Sequence, residues 1–189
     1  MRWLLVLVLA SGCSCGGGNS WAESNFDNDD EGWTLSPDAT STTPELRATG
    51  GAPGGHICGK DGEMSDIWYF SAPEKFLHDA STTYGKRLTW SLKQESTFQQ
   101  VKGRDVILQG NGVALVWNIK TTPGKDWTEF GTRIDDTSGW KKDEDPAFPD
   151  ATEEEMRTAL RNVTVFKIRG EYKDGPDFGC LDNVHFGTE

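Results

Sequence analysis

The fold of this chain is decided by Ile67 to Leu92, which read IWYFSAPEKFLHDASTTYGKRLTWSL. Ile67, Trp68, Tyr69 and Phe70 are aromatic or branched, the side chains that suit a half-buried pleated surface. Ala72-Pro73 stops that extended run, because proline offers no amide to a ladder and its fixed φ suits a first helical turn. Phe76 and Leu77 are the apolar residues such a turn tucks inward. Past Tyr84-Gly85, Leu88, Trp90 and Leu92 alternate with Thr89 and Ser91, the period of a strand with one buried face. The stretch reads as strand, short helical turn, polar loop, strand.

The same pattern extends in both directions. Upstream, a short strand around Trp33–Leu35 leads to a Ser/Thr/Pro-rich turn, and Gly50-Gly51-Ala52-Pro53-Gly54-Gly55 precedes a strand from His56 to Gly59. Glycines there permit positive φ or close backbone approach. Downstream, Asp105–Gln109 and Val113–Asn118 flank Gly110-Asn111-Gly112, a hairpin signal. Apolar residues on both faces predict that the second of these strands is central to its sheet. Trp127–Thr132 is a further strand, followed by a polar turn and Trp140. Thr152 with Glu155 forms a capping box, and Met156 and Leu160 share a face, so one helix is predicted over 152–161. Val163–Glu171 and Gly179–Phe186 are the closing strands. Roughly ten short strands with glycine turns and one late helix point to an all-β sandwich.

Several of these motifs resemble the laminin IV type A (laminin B) domain, in which an aromatic strand is followed by A-P-x-x-F-L-G-D and then Y-G-x-x-L. Ala72, Pro73, Phe76, Leu77, Asp79, Tyr84, Gly85 and Leu88 match, and His78 stands where the family has glycine. The Gly50–Gly55 turn, Pro123 with Trp127-Thr128, Gly139-Trp140, Ile168–Tyr172 (IRGEY) and Leu181–Val184 (LDNV) continue the resemblance in order. It implies a jelly-roll β-sandwich of the carbohydrate-binding-module or galactose-binding kind. It further implies a non-catalytic extracellular module acting in cell-surface or matrix interaction. In such a sandwich the first and last strands lie close, which would bring Phe26–Trp33 near Leu181–Phe186 and Cys58 near Cys180.

The chain has 189 residues, 30 acidic and 19 basic, for a formal charge of −11. That balance and the lack of a Lys/Arg stripe exclude a nucleic-acid partner. At the N-terminus Arg2 precedes an apolar run, Trp3–Ala10, too short to span a bilayer but suited to a secretory signal. Ala10-Ser11-Gly12-Cys13 resembles a bacterial lipobox with Ala10 in place of leucine, so Cys13 is the expected lipidation site. Cleavage after Ser20-Trp21-Ala22 is the rival. Either route exports the protein, as a lipoprotein at the outer surface or in the periplasm, or in secreted form; a membrane is contacted only through such an anchor. Residues 1–22 are thus assigned to export and tether, and 25–189 to the domain. Cys58 and Cys180 remain as body cysteines, which an oxidising compartment would join; two buried thiols are the alternative.

Two kinds of site are predicted. Asp27, Asp29, Asp30 and Glu31 crowd between Phe26 and Trp33, and carboxylates so close need solvation or a cation. Ca²⁺ takes six to eight oxygens, often from distant segments. By the jelly-roll resemblance the candidates for one structural Ca²⁺ are Asp27, Asp29, Glu31 and Asp182, with Asp61 as an addition; no organic cofactor is implied. The spacing is not that of an EF-hand, and a solvated acidic turn is the plainer alternative. The second site would bind sugar: flat aromatic faces with a polar handle make a carbohydrate platform. Trp68, Trp90 and Trp117 lie in alternating strands and are read as core, whereas Trp127, Trp140 and Tyr172 lie near loops and are the platform candidates. An extracellular protein or glycan is the expected partner. Catalysis has little support: His56, His78 and His185 are scattered, with no HExxH, nucleophile elbow or P-loop. A glycosidase carboxylate pair is the residual enzymatic reading.

Overall fold

The structure is a computed structural model, and it describes residues 20–36, 38–62 and 67–189. Residues 1–19 of the expected export and tether segment, Cys13 among them, lie outside the described residues, whereas residues 20–22 are within them. Six strands come first: β1 (Ala22–Ser24), β2 (Thr34–Leu35), β3 (Glu45–Arg47), β4 (His56–Lys60), β5 (Tyr69–Ser71) and β6 (Arg87–Gln94). Then follow β7 (Val106–Gly110), β8 (Val113–Trp117), β9 (Thr128–Arg133), β10 (Lys141–Lys142), helix α1 (Glu153–Leu160), β11 (Val163–Arg169) and β12 (Phe178–Thr188). One sheet runs β3-β4-β12-β6-β9 with β1 also on β12; the other runs β10-β8-β7-β11-β5-β2. This is the predicted jelly-roll sandwich.

The stretch from Ile67 to Leu92 carries the chain from one layer to the other. β5 belongs to the second sheet and β6 to the first. Between them lie two one-turn 3-10 helices, Glu74–Phe76 and Ser81–Thr83. Phe76 and Ala80 are fully buried at this crossing, and Trp68, Phe70, Leu88, Trp90 and Leu92 fill one core with Phe166 and Phe186. Aromatic side chains of this size dominate core energetics, and their edge-to-face contacts add to the burial term. Trp33 meets Phe76 in this way at 5.4 Å between centroids, and Phe166 meets Phe186 at 5.2 Å. Tyr69, on the opposite face of β5, packs with Ile107 and Val116 in a smaller cluster.

The local signals at the hairpin and the helix agree with the structure. Asn111 and Gly112 both take positive φ, 48° and 78°, joining β7 to β8 as a two-residue turn of the type Asn-Gly favours. β8 is less central than predicted: β10, only two residues long, closes the sheet beside it. Thr152 and Glu155 exchange both capping hydrogen bonds, and Met156, Ala159 and Leu160 form the buried face of α1.

β12 changes partner along its length. Phe178–Leu181 pair with β4, and Val184–Phe186 pair with β1. At the changeover Asn183 adopts φ 48° and the register against β6 shifts. Cys58 and Cys180 stand directly opposite one another in the β4–β12 ladder and are joined by a disulfide. The sheet begins before Asn25, the expected start of the domain. Trp21 donates its amide to the Phe186 carbonyl at 2.9 Å, and its ring packs on Phe186 and on His78, at 5.4 and 4.4 Å between centroids. His78 is otherwise exposed, a surface substitution that meets this tryptophan.

Candidate functional site on the open face of the first sheet

Side chains alternate across a strand, and residues directly opposite in an antiparallel ladder share a face. The ladders place Glu45, Cys58, Cys180 and Lys93 in one row across β3, β4, β12 and β6, on the face turned away from the core. Arg47 pairs with His56, and Asp182 with Ser91, on the same side. Trp127 enters this face from the residue before β9. Its Nε1 donates to the Gly50 carbonyl at 2.8 Å, and its ring meets His56 edge-on at 5.2 Å. Lys93 Nζ sits 4.5 Å from the centre of the Trp127 ring, and the Arg47 guanidinium 4.9 Å from that of Phe178. Arg47, Lys93, Gln94, Glu95, Lys125, Phe178 and Cys180 line a basin of about 360 Å³.

The charges in this basin follow from burial and from one another. His56 is 2% exposed, and among the described residues neither ring nitrogen has a hydrogen-bond partner. Burial, with Lys93 and Arg47 adding their repulsion against the opposing pull of Glu45, lowers its pKa to about 4. It is therefore a neutral imidazole at physiological pH. Burial and Arg47 also lower the Lys93 pKa, against the attraction of Asp182. Arg47 Nε bonds Glu45 Oε1 at 2.9 Å.

At the edge of this face the acidic residues make a clamp. Asp182, fully buried, accepts the Ala52 amide at 2.6 Å on Oδ2 and the Asn183 amide at 2.7 Å on Oδ1. Asp27 Oδ1 accepts the Gly55 amide at 3.0 Å. Glycine is required around them: a Cβ on Gly51 would collide with Asp182 and the Gly55 carbonyl, and one on Gly54 with Asp27. Burial raises the Asp182 pKa to about 6, with Asp27 adding repulsion against the stabilising amides of Ala52 and Asn183. Asp27 and Asp182 thus fasten the same glycine loop, and Asp27 repels Asp182 across it.

Only part of the predicted cation set converges there. Asp27 and Asp182 do. Asp29 instead receives the Glu31 amide at 2.8 Å, and Glu31 turns back to receive the amides of Asn25 and Phe26 at 2.9 and 2.8 Å. Glu31 also pairs with Lys75. Burial raises the Glu31 pKa, but Lys75 and those amides outweigh it and hold the group below its ordinary value. Asp61 belongs to another cluster, with Asp38 and Glu171, whose carboxylate oxygens lie within 4.8 Å of its own. Two of the three platform residues are also displaced. Trp140 is 1% exposed, its Nε1 donating to the Arg133 carbonyl at 2.8 Å, and Tyr172 is 0% exposed with its hydroxyl beside the buried Asp105. Neither presents a ring to solvent, because both rings are packed into the core. Trp127 alone of the three lies on the open face.

Arg47, Lys93, Lys125, Phe178 and His56 were not foreseen. Period-two alternation from Cys58 and Cys180 places His56 and Phe178 on the disulfide's face, so that signal was present. Arg47 and Lys93 needed the register between strands, which no local pattern supplies.

The sequence profile of Laminin B (Domain IV) matches residues 69–188. Laminin subunit gamma-1 of Danio rerio is 31% identical over 175 residues, 87% of this chain and 10% of that protein. The laminin-like protein lam-2 of Caenorhabditis elegans is 35% identical over 125 residues, 64% of this chain and 7% of that protein. This chain therefore spans a tenth or less of the length of these relatives. Among solved structures, the L4b domain of human laminin alpha-2 superposes with TM-score 0.64 at 13% identity, covering 89% of this chain and 98% of that one. The carbohydrate-binding module CtCBM11 superposes with TM-score 0.59 at 16% identity, over 94% and 99%. At such identities these two likenesses concern the fold. With the profile spanning residues 69–188 and its motifs in order, the chain belongs to the laminin B (domain IV) family.

Proposed function

We propose that this chain is a non-catalytic extracellular module that binds a partner at a cell surface or in a matrix. The observation that supports this reading is the basin on the open face, which offers a ligand cations, an amide and ring edges. His185 is instructive. Ser20 Oγ lies 3.2 Å from its Nδ1, and Glu23 Oε2 lies 3.4 Å from the same nitrogen. A relay needs the acid and the nucleophile on opposite nitrogens, so this trio does not make one. The test is to screen the full chain against purified matrix proteins, a glycan array and generic hydrolase substrates. Saturable binding that is lost on substituting basin residues supports a binding module. Turnover abolished by substituting one carboxylate would replace it with an enzyme.

Carbohydrate is the second reading, favoured by Trp127 at the edge of the open face and by a basin in the ~300–1,000 Å³ range of small-ligand sites. A structural Ca²⁺ held by Asp27 and Asp182 belongs to the same proposal, supporting the loop that carries Gly50 against Trp127. We also propose export in a bacterial setting, with the chain anchored through Cys13. The packing of Trp21 on Phe186 and His78 supports processing upstream of Ala22, since cleavage after Ala22 would remove this contact. Intact mass of the native N-terminus decides between the two routes.

A further inference from the structure

In a chain of charge −11, the basin on the open face is lined by three cations, Arg47, Lys93 and Lys125, and one carboxylate, Glu95. The aromatic rings beside it are not bare. Lys93 caps Trp127 and Arg47 caps Phe178, at 4.5 and 4.9 Å from the ring centres. A neutral sugar that stacks on aromatic faces would have to displace both cations, whereas an anionic ligand meets them as they stand. We propose that the basin takes an acidic saccharide, its carboxylate or sulfate held by Lys93 and Arg47 and its ring packed against the Trp127 and Phe178 edges. This inference rests on the open face being the binding face, and it names the class of ligand that the face selects.

The electrostatics agree with the geometry. Burial is the main cause of the lowered His56 and Lys93 values, and the cations add to it, Lys93 and Arg47 on His56 and Arg47 on Lys93, as cations held near one another do. Of the nearby acids, Glu45 is paired with Arg47 and Asp182 is held by the amides of Ala52 and Asn183, which leaves Glu95 as the one carboxylate lining the basin against three cations. Position on the sheet favours a saccharide over a peptide. Extended peptides add to a free strand edge through main-chain hydrogen bonds. Lys93, Cys180 and Cys58 instead lie in the middle of a ladder whose β4, β12 and β6 are paired on both sides.

The test is calorimetry on the full chain with four probes: a uronate oligosaccharide, its neutral counterpart, a sulfated oligosaccharide and a polyglutamate peptide. Binding of either acidic saccharide but not of the neutral one or the peptide is expected. Lys93→Met or Arg47→Met, which keep most of the apolar stem, should each weaken it by about tenfold, as should raising salt from about 0.15 M to about 1 M. Circular dichroism and an unchanged melting temperature establish that the variants fold. Equal binding of neutral and acidic saccharides would overturn the charge selection while leaving a sugar-binding face. Equal binding of polyglutamate would overturn the saccharide in favour of an acidic peptide. Silence from all four probes with folded protein would overturn the inference, while binding to a matrix protein in the earlier screen would still uphold the module.

Discussion

Asp182 holds Ala52 across 130 residues of chain, its Oδ2 accepting the Ala52 amide at 2.6 Å where β12 passes from β4 to β1. The carboxylate does the work of a missing ladder partner. It satisfies backbone donors in the gap between two strands that share one edge of β12, and Asn183 completes the joint by donating its side-chain amide to the Ala52 carbonyl. A buried carboxylate beside a second one is a costly way to fasten a loop unless a cation offsets the charge.

Calcium should therefore stabilise the protein through this joint. At a concentration about a hundredfold above its dissociation constant, Ca²⁺ should add about 2.7 kcal/mol to the unfolding free energy. Asp27→Asn and Asp182→Asn should each remove the gain, and Asp29→Asn should leave it intact. Differential scanning calorimetry with and without chelator is the measurement. Identical melting curves, with no metal in the purified protein, would end the calcium proposal.

Protonation of Glu171 should stabilise the calcium-free protein as pH falls, against the opposing titration of His56, whose value is lowered to about 4. Glu171 is 5% exposed and its pKa is raised to about 7. Burial is the main cause and the repulsion of Asp61 and Asp38 adds to it, while the Trp68 amide and Arg169 oppose. A folded-state pKa above the unfolded value means that the native state binds the proton more tightly. Stability therefore falls as pH rises from the ordinary glutamate range through 7, by at most about 3 kcal/mol from this group. Glu31 and Asp135, with lowered values, lose their contribution only at lower pH. Urea melts at pH 5.5 and 8 should show the slope, and Glu171→Gln should flatten it. An unchanged slope in that variant would clear Glu171 of the effect.

Trp21→Ala should cost about 1–3 kcal/mol, since it strips the ring that seats β1 against Phe186. His78→Gly, which installs the residue usual in the family, removes one of the two partners and should cost less. Equilibrium unfolding in urea ranks them. A neutral Trp21→Ala would mean that β1 needs no anchor.

Trp140 and Trp127 should separate sharply under the same substitution. Trp140→Ala opens a core cavity and takes one of two side-chain donors from the Arg133 carbonyl, a loss of about 3–5 kcal/mol. Trp127→Ala, on a half-exposed ring, should cost about 1 kcal/mol and should act on ligand binding instead. Thermal melts beside the calorimetric titrations read both effects. Equal destabilisation by the two would assign Trp127 to the scaffold.

The scaffold was legible wherever a signal is local. Asn111-Gly112 names its turn, Thr152 with Glu155 names a helix start, and the alternation of Leu88, Trp90 and Leu92 names a buried face. Those residues need only their neighbours to be understood. The site needed register and long-range pairing. Nothing near Lys93 says that it faces Cys180, and nothing near Asp61 says that Asp38 and Glu171 will join it. Trp140 and Tyr172 misled for a related reason. Each follows a polar segment and so reads as exposed, but long-range packing buries both rings, and the carbonyl of Arg133 receives the Trp140 indole N–H from inside. The acidic loop was ambiguous too, because Lys75 on a distant 3-10 turn, not a cation alone, relieves Glu31.

The disulfide has a mechanical consequence. Cys58 and Cys180 are 122 positions apart in sequence yet opposite in the ladder. Tension entering at one end of the chain and leaving at the other passes through the sulfurs and bypasses everything between. Residues 59–179 form a slack ring that cannot be drawn out, and only the segments outside it can lengthen. Because Ala22 faces Phe186 at the same edge of β12, a pull on both ends peels β1 first, then loads the joint at Asp182, and halts at the covalent bond. A domain wired in this way can give a short, bounded length of chain under load while its core and its open face stay folded.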